Sequence, residues 1–318
     1  MSNNFQTRRN FRIAEVLHVI AGNYELLGNS EKFFFNNIAD IETGDADSLV
    51  FITAGVDGVL SRLRETKSNI VVVEKTGEDL SEWSEKKILL VTDRPRTNFS
   101  KIANYVLNIS NNNISQNRIH PTALIDPDAI IGKNVSIGPY SVIGKVIIGD
   151  GTQIGPYVHI NDETVLGKNV VIQTGCVIGS VAYSEILNEP GSCRVSFPQL
   201  GGVVIEDFVS IGPMTCIQRG ALKNTLIKQN SSIDTFVQIA HNVEVGQNVT
   251  IIGHSHVGGS VKLGDGVYIG QSSTIDNVGS IGSDAFLGIG SVVIRPVERN
   301  SKVFGNPATR ITSPKITK

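Results

Sequence analysis

The sequence predicts a mainly β protein: a parallel β-helix of six-residue repeats preceded by a small α/β domain. Three observations carry this. An aliphatic residue returns at every sixth position, at Ile227, Ile233, Ile239, Val245, Ile251, Val257, Leu263, Ile269, Ile275, Ile281, Leu287 and Val293. Four residues after each comes a small or β-branched one, from Ser231 and Val237 to Val297. Glycine often follows the aliphatic residue directly, as at Gly246, Gly258, Gly264, Gly270, Gly282 and Gly288. A period of six matches neither a helix face at 3.6 nor a two-residue strand alternation. It matches a coil of short strands in which two side chains per repeat point inward and glycine relieves a tight corner.

Residues 1–115 have a different texture. Phe11 to Ile20 has apolar residues at helical spacing, with Gly22 as its stop. Ser48–Thr53, Asn69–Glu74 and Lys87–Thr92 read as buried strands, Asp93–Arg96 as a turn, and Asn98–Leu107 as a helix. Mixed elements of this kind predict an α/β domain. Asn108 to Gln116 is polar and rich in asparagine, the composition of a linker. The repeats then run over 116–297. They slip by one residue between Ile143 and Ile148, and break for an inserted loop at 180–202. They take a smaller excess at Arg219–Asn224. Insertions leave such a stack as loops, and loops of this kind often build binding sites. Residues 298–318 read as a terminal cap or tail in which Pro307 and Pro314 argue against a long helix.

The 318 residues carry a formal net charge of −2 with both signs mixed along the chain. Without a basic block to neutralise phosphates, nucleic acid is not an expected partner. An odd three cysteines without paired spacing suggest a reducing compartment. Cys176 falls on an inward position and reads as core. The polar first twelve residues lack the apolar run of a signal peptide, and no stretch has the length to cross a bilayer. A cytoplasmic protein is expected. The flat, strand-lined sides of a β-helix also invite symmetric self-association.

Chemistry must come from residues that break the pattern. Of six histidines, His18 reads as structural, and His120 and His159 are isolated. His241 lies two residues past Ile239, off the inward positions, where an imidazole can serve as a general base near neutral pH. Its surroundings resemble a known family. Phe197-Pro198-Gln199-Leu200-Gly201, Arg219-Gly220-Ala221-Leu222, and Ile233-Asp234 followed by Gln238-Ile239-Ala240-His241-Asn242-Val243 are similar in order and spacing to the UDP-3-O-acylglucosamine N-acyltransferases of lipid A synthesis. Asn37-Ile38-Ala39-Asp40-Ile41 through Phe51-Ile52 resembles that family's nucleotide-binding domain.

The resemblance implies a left-handed β-helix, a homotrimer, and active sites between neighbouring subunits. It implies transfer of an acyl group from a thioester of acyl carrier protein or coenzyme A to the amine of a nucleotide-linked amino sugar, with no bound cofactor. His241 would take the amine proton and Asp234 would orient it. Gly258 and Gly259 would offer backbone N–H groups to the oxyanion. Phe197, Gln199, Gln238 and Asn242 would meet substrate; His254 and His256 stand where the family has small or apolar residues, and would either meet substrate in place of its second histidine or merely be exposed.

The departures from the family's pattern also point somewhere. Its second histidine is replaced in Asp276-Asn277-Val278-Gly279, and its nucleotide-contact run by Thr53-Ala54-Gly55-Val56. Phe304-Gly305-Asn306-Pro307-Ala308 looks like the closing motif of acetyl-coenzyme-A-dependent hexapeptide transferases, and the helices that receive acyl carrier protein are absent. These features, with the polar bulk of His254 and His256, set a short-chain sugar N-acetyltransferase beside the leading reading. A zinc centre is disfavoured, because His241, His254 and His256 lack a His-x4-His pair. A non-catalytic scaffold is the last alternative.

Overall fold

The structure, a computed structural model, describes residues 5–55, 58–111, 119–183, 185–187, 194–277 and 279–310. The chain divides into two compact units, Met1–Gln116 and Asn117–Lys318.

The first unit is built on a six-stranded sheet. β3 (Phe35–Ile38), β4 (Ser48–Ile52), β5 (Ile70–Glu74) and β6 (Ile88–Thr92) run parallel in that order. β1 (Phe5–Phe11) and β2 (Tyr24–Leu27) close the two edges antiparallel. Leu49–Ile52, Ile70–Val73 and Ile88–Val91 are unbroken apolar runs because both faces of the sheet are covered. Leu49, Val72 and Leu90 pack with Ile102 and Val106 of one helix, α3 (Pro95–Asn111). Val50, Val71 and Leu89 pack with Val59 and Leu63 of another, α2 (Gly58–Glu65).

The helix expected over Phe11–Ile20 is mostly absent. Phe11 ends β1 and stacks on Phe35 at 5.7 Å, leaving a single α-turn, α1 (Ile13–Val16), and a 3-10 turn at Leu17–Val19. α3 starts inside the expected turn, with Pro95 at its first position, where a missing N–H costs nothing. It continues to Asn111, so the first part of the asparagine-rich linker is helix; the rest of that linker lies outside the described residues.

The second unit is a parallel β-helix with three faces, sheets of nine, eight and ten strands among the described residues. Strands one coil apart pair in register, so each aliphatic residue stacks on its counterpart. Ile239 lies between Ile217 and Val257, and Ile233 between Ile211 and Ile251. These side chains form one continuous core, each buried aliphatic contributing about 1.5–3 kcal/mol. The one-residue slip at Ile148 is absorbed at a corner, since Ile148 still pairs with Ile131 and Leu166. Cys176 is fully buried, with its thiol donating to Gly212 O at 3.1 Å, and burial pushes that thiol's pKa up.

The repeat extends past Val297. Lys302–Phe304 adds to the ten-stranded sheet beside Phe286–Leu287, and Thr309–Arg310 folds back on it. The remaining tail, 311–318, lies outside the described residues. Corners demand left-handed backbone, which asparagine tolerates, as at Asn230, Asn242 and Asn248. One corner instead places large side chains there. Tyr140, Tyr157, Met214, Phe236 and His254 each stand three residues past a strand of the ten-stranded sheet. Tyr140 stacks on Tyr157 at 5.3 Å and Phe236 on His254 at 5.1 Å. The result is an exposed ladder along the outside of the stack.

Candidate active site

Three segments far apart in sequence meet on the β-helix. The inserted loop forms a hairpin, Glu185–Leu187 against Arg194–Ser196, and returns through Phe197–Gly202. There Leu200 N–H donates to Ala221 O at 2.6 Å, Gly201 N–H to Gly220 O at 3.1 Å, and Gly202 N–H to Asn224 Oδ1 at 2.8 Å. The Arg219 side chain closes the junction through Nε–H to Gly201 O at 2.6 Å. On the next coil Asn242 Oδ1 accepts the Ala221 N–H at 2.8 Å, and its Nδ2 lies 3.0 Å from His241 Nδ1. Leu200–Gly202, Arg219–Asn224 and Asn242 are thus one contiguous arrangement with His241 at its edge.

The His241 corner is set apart by the glycine that lies under its ring. The N–H two residues past an inward aliphatic points away from the strand ladder. At four corners an aspartate from the next coil accepts it: Asp150 for Lys133, Asp162 for Lys145, Asp207 for Lys168 and Asp265 for Gln247, at 2.7–2.8 Å; at others, such as Thr174, Thr235, Gln271 and Ser283, no described residue does. One coil on from His241 the residue is Gly259, which has no side chain to offer. Neither the His241 N–H nor the Gly259 N–H bonds another described residue. The imidazole occupies the space a side chain at 259 would take. A Cβ there would lie 2.8 Å from Nε2 and 2.9 Å from Cε1.

Other expected site residues fall elsewhere. Gly258 is no oxyanion donor, because its N–H is bonded to Ile275 O at 2.8 Å in the strand ladder. Asp234 is not brought to His241 within the chain. It follows the strand Ser232–Ile233 of the ten-stranded sheet, whereas His241 follows Gln238–Ile239 of the nine-stranded one. Its Oδ2 accepts the Gly253 N–H at 3.1 Å. His254 stands at the aromatic ladder's corner, not at that of His241. His256 shares the outer face of the nine-stranded sheet with Gln238 and Thr274, its direct register partners. Gln199 Nε2 reaches Phe197 O at 3.4 Å, within the loop. His18 packs edge-on against Tyr105 at 4.7 Å, a structural role as expected.

Beside the Leu200 loop is a pocket of about 300 Å³ with an aliphatic floor, Ile130, Ile147 and Val165, walled by Lys145, Glu163, Leu200, Gly202 and Asn224. These three aliphatics point outward, in one register column with Val204 and Leu226; Ile130 is 62% exposed. Nearby, the Lys223 ammonium, 2.6 Å from Glu244, holds that carboxyl below its usual range, with Lys262 on its other side adding to the effect.

The first unit has a pocket of its own, about 330 Å³, lined by Asp40, Ile41, Phe51, Thr53, Arg62 and Arg96. It lies outside the carboxyl ends of β3 and β4, where open parallel sheets bind ligands. Among the described residues, no group of three or more histidine, cysteine or acidic side chains could hold a metal ion, and no helix is long and apolar enough to cross a membrane.

Residues 145–180 match the family described as Bacterial transferase hexapeptide (six repeats). The chain is 35% identical over 206 residues to UDP-3-O-acylglucosamine N-acyltransferase 1 of Francisella tularensis subsp. holarctica, covering 59% of this chain and 58% of that protein. It is 34% identical over 165 residues to the UDP-3-O-acylglucosamine N-acyltransferase of Coxiella burnetii, covering 44% and 48%. The chain therefore matches less than three fifths of the length of these curated relatives. The fold is shared with the UDP-N-acetylglucosamine acyltransferase of Francisella novicida, at a TM-score of 0.55 and 24% identity over 61% of this chain and 69% of that one. The resemblance read from the motifs is borne out, as is the β-helix of hexapeptide repeats.

Proposed function

We propose that this chain, with UDP-3-O-acylglucosamine N-acyltransferases among its relatives, is an N-acyltransferase. It moves an acyl group from a thioester of acyl carrier protein or coenzyme A to the amine of a nucleotide-linked amino sugar. The observation that carries this reading is the His241 corner: an imidazole lying over a glycine, beside two uncapped backbone N–H groups, where three motif segments meet. The neutral amine attacks the thioester carbonyl, and His241 takes the N–H proton as the C–N bond forms. The Gly259 N–H is free to bond the oxyanion of the tetrahedral intermediate. Collapse breaks the C–S bond, and the imidazolium returns its proton to the leaving thiolate.

The pocket by Leu200, with an aliphatic floor and charged walls, has room for an acyl chain longer than acetyl. His254 no longer argues for a short one, since it stands at another corner. In the first unit, Arg62 and Arg96 beside Phe51 suit the phosphates and base of a nucleotide. The exposed ladder from Tyr140 to His254 supports a homotrimer, in which Asp234 could act on His241 only from a neighbouring subunit.

The test is turnover of acyl thioesters with UDP- and dTDP-linked amino sugars, read by thiol release and product mass, in native protein and His241→Ala. A loss of ~10²–10⁴-fold with the assembly intact is expected. Near-full turnover by the variant would refute the role given to His241.

A further inference from the structure

The Asn242 carboxamide is held between two partners that together fix which way it faces. Its oxygen accepts the Ala221 backbone N–H at 2.8 Å, and its nitrogen lies 3.0 Å from His241 Nδ1. A backbone N–H only donates, so the carbonyl end must face Ala221; turned over, the amide would set two donors against each other there. The NH₂ end then faces the imidazole, and it too only donates. Nδ1 of His241 must therefore be the acceptor, and in the neutral ring the proton sits on Nε2. The backbone of Asn242 is fixed as well, with φ at +60° and its N–H on Thr225 Oγ1 at 3.0 Å.

We propose that Asn242 is a positioning residue that sets the tautomer of His241, holding the free chain in the Nε2–H form. The consequence rests on the reading of His241 as proton acceptor. In this form neither ring nitrogen can take a proton: Nδ1 is covered by Asn242, and Nε2 already carries one. The resting imidazole is a hydrogen-bond donor at its open edge. The base form is reached when Nε2 releases its proton to solvent and Nδ1 gains one, with no net change in protons. The carboxamide must then turn to offer Oδ1 to the new Nδ1–H, which frees the Ala221 N–H. Ala221 lies in the Arg219–Leu222 segment against the Leu200–Gly201 loop. A substrate oxygen that takes the Ala221 N–H in place of Oδ1 therefore favours the base form. Binding at that segment and readiness of His241 are coupled through one amide.

The experiment is a long-range ¹H–¹⁵N correlation spectrum of the full chain labelled at its six histidines. It is recorded at roughly pH 8.5, about two units above the ordinary imidazole value, with His241 assigned by its loss in His241→Gln. The native ring is expected to be protonated at Nε2 and bare at Nδ1. Asn242→Asp keeps the acceptor for Ala221 and tolerates the left-handed backbone, but presents oxygen to Nδ1. It should therefore move the proton to Nδ1 or protonate both nitrogens. A native spectrum with Nδ1 protonated, or with both nitrogens protonated, overturns the proposal, as does a folded Asn242→Asp protein with an unchanged ring. The native spectrum decides even where the variant folds poorly. Because the ring nitrogens and not turnover are read, a chain inert toward every acyl donor but Nε2-protonated would refute the acyltransferase reading and leave this one standing.

Discussion

Replacing Gly259 by alanine tests the site with one methyl group. The added Cβ would sit 2.8 Å from His241 Nε2 and 2.9 Å from Cε1, where ordinary contact begins at 3.4 Å. The ring must retreat by the difference, about 0.6 Å, and it can, because it is the half-exposed end of a side chain. Displacements approaching 1 Å at a reacting group cost up to ~10²-fold, so kcat/KM should fall roughly ten- to a hundred-fold. The fold should not suffer. The backbone of Gly259 lies outside the left-handed region, and a compatible glycine-to-alanine change stabilises by about 0.4–1 kcal/mol through the unfolded chain. Gly258→Ala is the control: its Cβ would lie 2.7 Å from Ile275 O, a ladder carbonyl that cannot swing aside. That variant should lose about 1–3 kcal/mol. Activity is read by thiol release and stability by thermal unfolding of both variants. Gly259→Ala with turnover within two-fold of native protein would refute the claim that the imidazole acts from this position. A Tm drop matching that of Gly258→Ala would refute the claim that the ring yields.

Two further outcomes are expected. If the assembly is a trimer with Asp234 and His241 contributed by different subunits, chains carrying Asp234→Ala and His241→Ala, each inactive alone, should on refolding together regain activity in roughly a quarter of their sites; no recovery in mixed trimers, or an active monomer on sedimentation, rejects the shared site. Across thioester donors of increasing length with one accepted amino sugar, kcat/KM should rise by up to about four-fold per methylene, the equivalent of about 0.8 kcal/mol, until the aliphatic pocket is filled; acetyl-coenzyme A as the best donor would restore the short-chain reading.

The β-helix was legible because its information is local and repeated: one aliphatic position per repeat fixes both the inward face and the coil-to-coil register, as Ile239 on Val257 illustrates. The motif segments were also legible as a set, although only the hydrogen bonds from Leu200 to Ala221 and from Ala221 to Asn242 turn them into one arrangement. Some misplacements were avoidable. Asp234 and His241 are seven residues apart, and in a six-residue repeat that separation carries them past successive strands to different corners. The same phase tells Gly258, whose N–H joins the ladder, from Gly259, whose N–H does not. The first unit was harder. Whether Phe11 ends a strand or starts a helix is decided by its pairing with Phe35, a contact that local periodicity cannot register. Nor could composition tell that the asparagines after Leu107 continue α3.

The inserted loop shows how this architecture separates what can vary from what cannot. Ile227 and its partner Val245 are 18 residues apart, the length of one plain coil. Leu166 and its partner Ile205 are 39 residues apart, yet pair in the same register within the same sheet. The core therefore records only where a segment leaves and where it returns, and is indifferent to the length between. Since the entropy of closing a loop grows only with the logarithm of its length, doubling such an excursion costs about 0.6 kcal/mol. A chain built this way can alter the contour of its Leu200 loop, and with it the shape of molecule it accepts, while the stack that carries His241 stays as it is.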